Sequence, residues 1–105
     1  MAEKYLVFCR DQPGSEHPRA QALADHLKHL DSVMDRVALA AGLKDESGRP
    51  SGSIMIVKAD SPVDAERFVM RDPFFSAGVW ESLEVHHMGR AVGNWVVDSE
   101  VQARR

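Results

Sequence analysis

His26 and Asp72 are a histidine and an aspartate that the order of the surrounding elements could bring together, and such a pair can carry proton-transfer chemistry. When a carboxylate accepts a hydrogen bond from one nitrogen of an imidazole, it fixes the tautomer, and the other nitrogen then suits a general base near neutral pH. Asp72 precedes Pro73, where an aspartate also commonly caps a turn, so a purely structural role is the alternative. Which role applies depends first on whether the surrounding elements bring the two side chains together.

The first half of the chain predicts a strand followed by a long helix. Tyr5 to Arg10 is apolar at five of its six positions, which is typical of a strand covered on both faces. Ser15 is predicted to cap a helix over residues 16–34. His26 lies on the flank of the apolar stripe of this helix, so we expect it at the edge of the core. The stripe consists of residues spaced three or four apart: Ala20, Leu23, Ala24, Leu27, Leu30 and Met34.

The second half predicts a hairpin, a second helix and two more strands. Apolar residues 37–43 and 53–57 flank the polar stretch 45–50, as expected of two antiparallel strands and their loop. Ser61 and Pro62 mark the start of a helix that should end near residue 71, because Pro73 disfavours helical geometry before it. Residues 79–88 and 91–97 indicate a fourth and a shorter fifth strand. We therefore expect one domain over residues 1–98 and a polar tail over 99–105.

This order of elements describes a ferredoxin-like α+β fold, a split β-α-β motif in which two helices pack on one face of an antiparallel sheet. Alternation places Tyr5, Val7 and Cys9 on one side of the first strand and Leu6 and Phe8 on the other. Both faces of the sheet are thus apolar. Because large apolar patches are rarely left in water, the sequence predicts a homodimer whose sheets pack face to face.

Composition narrows the partners and cofactors that we expect. The 105 residues carry a formal charge of -3 with scattered cations, which disfavours nucleic acid as a partner. No apolar run approaches the roughly 20 residues that span a bilayer, so we expect no membrane association and a cytoplasmic location. Cys9, the sole cysteine, is expected to be a packed residue. Glycine-rich phosphate loops are absent, and His26 and His29 lack further ligands in a known motif, so we expect no nucleotide cofactor and no metal.

Four groups of short motifs follow one another over about residues 4–96. They are Cys9-Arg10-Asp11 with Pro13-Gly14, Arg19 with His26-Leu27 and Leu30, Asp45-Glu46-Ser47-Gly48 with Gly52-Ser53, and Asp72-Pro73-Phe74 with Ala77-Gly78. In their order and spacing they resemble the YciI-like family. The resemblance implies a ferredoxin-like domain that pairs into a dimeric α+β barrel, with a histidine and an aspartate in a cleft, here His26 and Asp72. It also implies, from one branch of the family, elimination of chloride from a hydroxylated aromatic ring.

Two positions depart from the family pattern. Relatives often carry an arginine three residues before the histidine, where this chain has Leu23, and a Gly-Pro near the end of strand two, where this chain has Ala41-Gly42. An arginine fork is a common grip for a carboxylate or a phenolate. The departure at Leu23 therefore predicts a changed ligand preference.

Five further residues are candidates for binding a substrate. Arg19 could orient an anionic substrate, and Ser53 and Ser76 could donate hydrogen bonds to it. Phe74 and Trp80 could wall an apolar cavity of the kind that small molecules occupy. The alternatives are a solvated Arg19 and aromatic residues buried in the core or at a dimer interface.

Two classes of function follow. The first is a cofactor-independent enzyme, lyase-like (as in dehydrochlorination) or isomerase-like, that uses His26 and Asp72 for general acid/base proton transfer or elimination on a hydroxylated aromatic or carbonyl compound. The alternative is a non-catalytic dimeric module that binds a small ligand or serves an accessory role. A dimeric-barrel monooxygenase or isomerase is related through architecture alone.

Overall fold

The computed structural model describes residues 2–96, which form a four-stranded antiparallel sheet with helices packed on one face. The order across the sheet is β2-β3-β1-β4. This arrangement confirms the predicted ferredoxin-like α+β fold. In chain order, the elements are β1 (Glu3–Asp11), α1 (Glu16–Ser32), β2 (Val37–Lys44), β3 (Pro50–Ala59), α2 (Pro62–Met70), α3 (Pro73–Ser76) and β4 (Trp80–His87), with a 3-10 turn at Met34–Arg36 before β2.

The two central strands, β1 and β3, supply most of the sheet's share of the core. Tyr5 lies opposite Val57, and Val7 lies opposite Met55, and all four side chains are buried. They pack in one cluster with Ala65, Phe68 and Val69 of α2. The alternate residues Leu6, Phe8, Ile54 and Ile56 are only half-buried on the other face of the sheet. Side-chain alternation along the strands thus follows the prediction.

The second helix begins as predicted, and a short third helix follows it. The hydroxyl of Ser61 accepts a hydrogen bond from the backbone N–H of Asp64 at 3.1 Å, and Pro62 occupies the first turn. After α2 ends at Met70, the chain turns into α3, an element that the sequence reasoning missed. The carboxylate of Asp72 caps α3 by accepting from the backbone N–H of Phe74 at 2.8 Å.

The hairpin between β2 and β3 closes over a loop organised by one aspartate. The Asp45 carboxylate accepts hydrogen bonds from the backbone N–H groups of Ser47 and Arg49 and from the Ser47 hydroxyl. These bonds, led by that from the hydroxyl, lower the pKa of Asp45. Gly48 adopts a φ of 82°, which an L side chain rarely tolerates. The predicted hairpin loop is confirmed, although β3 begins earlier than expected, at Pro50.

The prediction for α1 was wrong in the face that it buries. The buried residues are Ala22, His26 and Leu30, whereas Leu23 and Leu27 of the predicted apolar stripe are 45% and 55% exposed. A histidine can occupy the buried face because its ring stacks on an aromatic side chain and one of its nitrogens is hydrogen-bonded. The helix also ends two residues earlier than predicted, at Ser32.

The start of α1 and the end of the described chain correct two further predictions. Ser15 precedes α1, but its side chain makes no capping hydrogen bond. Residues 91–96 form no strand, because a turn closes there: the N–H of Val96 donates to the carbonyl of Gly93 at 3.0 Å, and Gly93 has a φ of 151°. Residue 97 and the predicted tail lie outside the described residues.

Candidate functional site

A hydrogen bond joins His26 of α1 to Asp72, which precedes α3. Nδ1 of His26 lies 2.8 Å and 2.9 Å from the two carboxylate oxygens of Asp72. The side chains are 11% and 1% exposed, respectively. Because an ionised carboxylate can only accept, Nδ1 carries the proton of this bond, and Nε2 is the nitrogen left to exchange a proton with a ligand.

Local sequence explains how Asp72 reaches the histidine. The Asp72-Pro73 step holds Asp72 in an extended conformation, with φ of -68° and ψ of 138°, immediately before α3. From there its Oδ1 accepts both the cap hydrogen bond of Phe74 and the bond from His26. Asp72 therefore caps α3 and contacts His26 at the same time. The turn-capping role, expected as the alternative to a role in proton transfer, does not exclude the contact.

Aromatic rings fix the plane of the imidazole. The His26 and Phe74 rings stack with centroids 3.8 Å apart and planes 8° apart. The Trp80 ring meets both of them edge-on, with its centroid 6.4 Å from that of His26 and 5.7 Å from that of Phe74. With one ring face covered and Nδ1 bonded, His26 is held in a single orientation.

Arg19 links the end of β1 to β3 beside this cluster. Its Nε and Nη2 donate to the Asp11 carboxylate at 2.9 Å and 2.8 Å, and Nη2 also lies 3.1 Å from the Gly52 carbonyl and from the Ser53 hydroxyl. The guanidinium carbon lies 4.8 Å from the centre of the Phe74 ring. Arg19 is therefore paired within the protein, and the reading of it as a solvated helix residue was wrong.

A depression of about 230 Å³ opens next to His26. One wall carries the polar residues Arg19, His26 and Ser53. The other surfaces are apolar or small: Leu23, Leu27, Leu30, Ala40, Ala41, Gly42, Ile54, Met55 and Phe74. A polar end beside an apolar body is the usual make-up of a small-molecule site.

A second, wider depression of about 400 Å³ lies elsewhere, around Arg36, Lys58 and Asp64. It is more open and holds a surface ion pair between Arg36 and Asp64. Because exposed pairs of this kind are common and mark no chemistry, the smaller depression beside the buried histidine is the better candidate.

The candidate binding residues fall into two groups. Arg19, Ser53 and Phe74 line the depression, whereas Trp80 is buried behind the histidine, with an indole N–H that lacks a hydrogen-bond partner within the described part of the chain. Ser76 is exposed and donates to the carbonyl of Pro73 at 3.2 Å.

Sequence reasoning also overlooked Asp11, which holds Arg19, and the leucines of α1, which line the depression. The Asp11–Arg19 pair joins a strand end to a helix across a loop, so its eight-residue spacing gave no signal in the sequence.

Cys9 lies close to the site but is a packed residue, as expected. Its side chain is buried in β1. Burial, followed by the charges of Asp72 and Asp11, raises the pKa of the thiol to about 12. The thiol is therefore protonated at neutral pH, which argues against a role as a nucleophile.

Two classes of feature are absent from the described residues. Across residues 2–96, no group of three or more histidine, cysteine, aspartate or glutamate side chains is arranged to hold a metal ion. No helix within the same range is long and apolar enough to cross a membrane.

The fold and the site agree with a family assignment. The model of the YCII-related domain matches residues 3–89, which is most of the chain. The chain belongs to the YCII-related family. The resemblance identified from the short motifs is thereby confirmed. Among curated proteins, none gives a significant match.

One solved relative of this YCII-related protein is an enzyme with a bound ligand. It is the 5-chloro-2-hydroxyhydroquinone dehydrochlorinase of Burkholderia phenoliruptrix AC1100, in complex with 2,5-dihydroxybenzoquinone. The two chains are 27% identical, with a TM-score of 0.70, and the match covers 84% of this chain and 95% of the other. The similarity supports an enzyme-like activity on a small molecule.

Proposed function

We propose that this protein is a cofactor-independent enzyme that moves protons on a small hydroxylated aromatic or carbonyl substrate. His26 acts as the general base through Nε2, and Asp72 orients the ring. The observation that carries this proposal is the buried bond from Nδ1 to the Asp72 carboxylate, because it leaves Nε2 as the exchangeable nitrogen of a histidine that lines the depression.

Elimination of chloride from a polyhydroxylated ring fits this arrangement. His26 removes one hydroxyl proton and returns it to the ring carbon that bears chlorine, so that the O–H bond is replaced by a C=O bond. Removal of a second hydroxyl proton then lets the C–Cl bond break, and a chloride ion and one proton leave as the quinone forms. A base that alternately accepts and donates a proton is sufficient for both steps.

The experiment that tests the proposal measures chloride release from 5-chloro-2-hydroxyhydroquinone under exclusion of oxygen. We expect release by the parent protein and a loss of about 10²- to 10⁴-fold in His26→Gln, which removes the base. His29→Gln is the matched control, since His29 lies one turn further along α1 and does not line the depression.

Two outcomes would contradict the proposal. Full activity in His26→Gln would remove the histidine from the mechanism. Ligand binding without turnover by the folded parent, against this ring and against a panel of enolisable carbonyl compounds, would favour the non-catalytic binding module. Circular dichroism of each variant establishes that the fold is retained.

We also propose that two copies pair through the helix-free face of the sheet. Leu6 lies opposite Ile56, and Phe8 opposite Ile54, so that half-buried apolar side chains are neighbours across the two central strands. Sedimentation equilibrium should show a dimer in the parent and a shift to monomer in Phe8→Asp. A monomeric parent would exclude this assembly.

A further inference from the structure

We infer that the depression beside His26 selects substrates whose ring carries an alkyl or aryl substituent and rejects those that carry a carboxylate in its place. The inference rests on the proposed function in that it names the substrate class of the same site. It concerns how a ligand is recognised, and therefore it can be tested by binding without turnover.

The first argument concerns the hydrogen-bond donors of Arg19. A guanidinium binds a carboxylate most strongly when two of its adjacent nitrogens each donate a hydrogen bond to it. In this protein the pair formed by Nε and Nη2 is taken by Asp11, and Nη2 also contacts Gly52 and Ser53. Only Nη1 remains for a ligand, so Arg19 cannot offer a carboxylate the stronger two-nitrogen contact.

The second argument concerns charge. Arg19 is the only arginine or lysine that lines the depression within residues 2–96, and its charge is balanced by Asp11 at 2.8 Å. The Asp72 carboxylate, 1% exposed, adds a negative charge directly behind His26. A ligand carboxylate would therefore be desolvated close to an anion, and within residues 2–96 the depression offers it no arginine or lysine that lacks an acidic partner, which makes its burial costly.

The third argument concerns the apolar wall. Leu23 and Leu27 are 45% and 55% exposed, and both line the depression together with Leu30. Isolated exposed leucines need no explanation, but here successive turns of α1 present them beside a buried histidine. The facing strand β2 contributes only small residues, Ala40, Ala41 and Gly42, which leave room for a substituent.

The test uses three ligands and isothermal calorimetry under exclusion of oxygen at pH 7. Hydroquinone is the reference, isopropylhydroquinone adds an apolar group, and 2,5-dihydroxybenzoate places a carboxylate of similar shape at the same position. Because burial of a few carbons strengthens binding by tenfold or more, we expect isopropylhydroquinone to bind at least about tenfold more tightly than hydroquinone. We expect 2,5-dihydroxybenzoate to bind at least about tenfold more weakly than hydroquinone.

A matched pair of variants assigns the preference to the wall. Leu27→Ala should reduce the gain from the isopropyl group by about fivefold. Val63→Ala should leave it unchanged, because Val63 is as exposed as Leu27, at 56%, but lies on α2 away from the depression. Equal effects of the two substitutions would overturn the inference.

The remaining outcomes separate this inference from the proposed function. The inference is overturned if 2,5-dihydroxybenzoate binds as tightly as isopropylhydroquinone. It is also overturned if the isopropyl group brings no gain in affinity, as would occur if a second copy covered the leucines. Both conclusions hold even if chloride is released. Failure of all three ligands to bind also overturns the inference. An intact preference without turnover of any substrate overturns only the proposed function.

Discussion

Two arginines hold opposite ends of β3 with the same three kinds of partner. Arg19 pairs with the Asp11 carboxylate, donates to the carbonyl of Gly52 and lies over the ring of Phe74. At this end the arginine and the aspartate side chains are 13% and 8% exposed. We call it the closed end.

The other end repeats the pattern in contact with water. Arg36 pairs with the Asp64 carboxylate at 3.2 Å, donates to the carbonyl of Lys58 and lies 4.3 Å from the centre of the Phe68 ring. Here the arginine and the aspartate side chains are 33% and 43% exposed. We call it the open end.

The two ends share the same kinds of contact and differ in their exposure to solvent, so we expect their ion pairs to contribute differently to stability. Removing one partner of a buried pair strands the other charge at a cost of about 3–5 kcal/mol, whereas exposed pairs contribute about 0–1 kcal/mol. The closed end adjoins His26 through Phe74. The buried ion pair that joins α1 to β1 therefore lies beside the candidate site.

The largest expected effect comes from opening the closed end. Arg19→Ala should lower the free energy of unfolding by about 3–5 kcal/mol, because Asp11 is left buried without its cation. Urea denaturation monitored by circular dichroism measures the loss. The double variant Arg19→Ala with Asp11→Ala should recover part of it, and a loss below about 1 kcal/mol in the single variant would contradict the comparison.

The second prediction tests how tightly the strands approach at the closed end. A Cβ on Gly52 would lie 2.5 Å from the carbonyl oxygen of Cys9, so Gly52→Ala should destabilise by about 1–3 kcal/mol. Gly42→Ala is the control, since nothing lies within 4 Å of its added Cβ, and we expect a change within about 0.5 kcal/mol. Equal stabilities of the two variants in urea would show that the strands can separate freely.

The third prediction uses Cys9 as a reporter of water exclusion at the closed end. Burial raises the thiol pKa from 9.0 to about 12, so above pH 9 the unfolded chain loses this proton while the folded protein retains it. Stability should therefore fall with rising pH between about 9 and 12, by up to about 1.4 kcal/mol per pH unit from this group. Parallel denaturation of Cys9→Ala isolates the contribution, and identical pH slopes of parent and variant would refute it.

The smallest effect is expected at the open end. Arg36→Ala should lower the free energy of unfolding by about 1 kcal/mol or less, and added salt should reduce the difference from the parent further. Urea midpoints at low and high salt provide the measurement. A loss equal to that of Arg19→Ala would show that exposure does not separate the two ends.

Local signals allowed much of the fold to be predicted from sequence. Ser61 before Pro62 predicted the start of α2, and the polar stretch between two apolar runs predicted the hairpin. The prediction of a fifth strand was wrong because the pattern of residues 91–97 does not reveal the turn at Gly93. The third helix was not predicted because its four residues are too few to show a helical period.

The candidate site was predictable only in part for a related reason. Periodicity predicted the wrong buried face for α1, because it could not tell that Leu23 and Leu27 stay exposed beside the depression whereas His26 is buried. The pairing of Arg19 with Asp11 joins a helix to a strand end, and no spacing rule covers such a contact. Sequence spacing reports neighbours within an element, whereas contacts between elements depend on how they pack.

The shared oxygen of Asp72 has a consequence for the energetics of any reaction at His26. Oδ1 is anchored by the backbone N–H of Phe74 at the same time as it accepts from the imidazole. When the ring gains a positive charge, the carboxylate that stabilises it is already in place and has no freedom to rotate toward it. Little reorganisation energy is then added to the barrier, which is the benefit that fixed dipoles and charges give an enzyme over water.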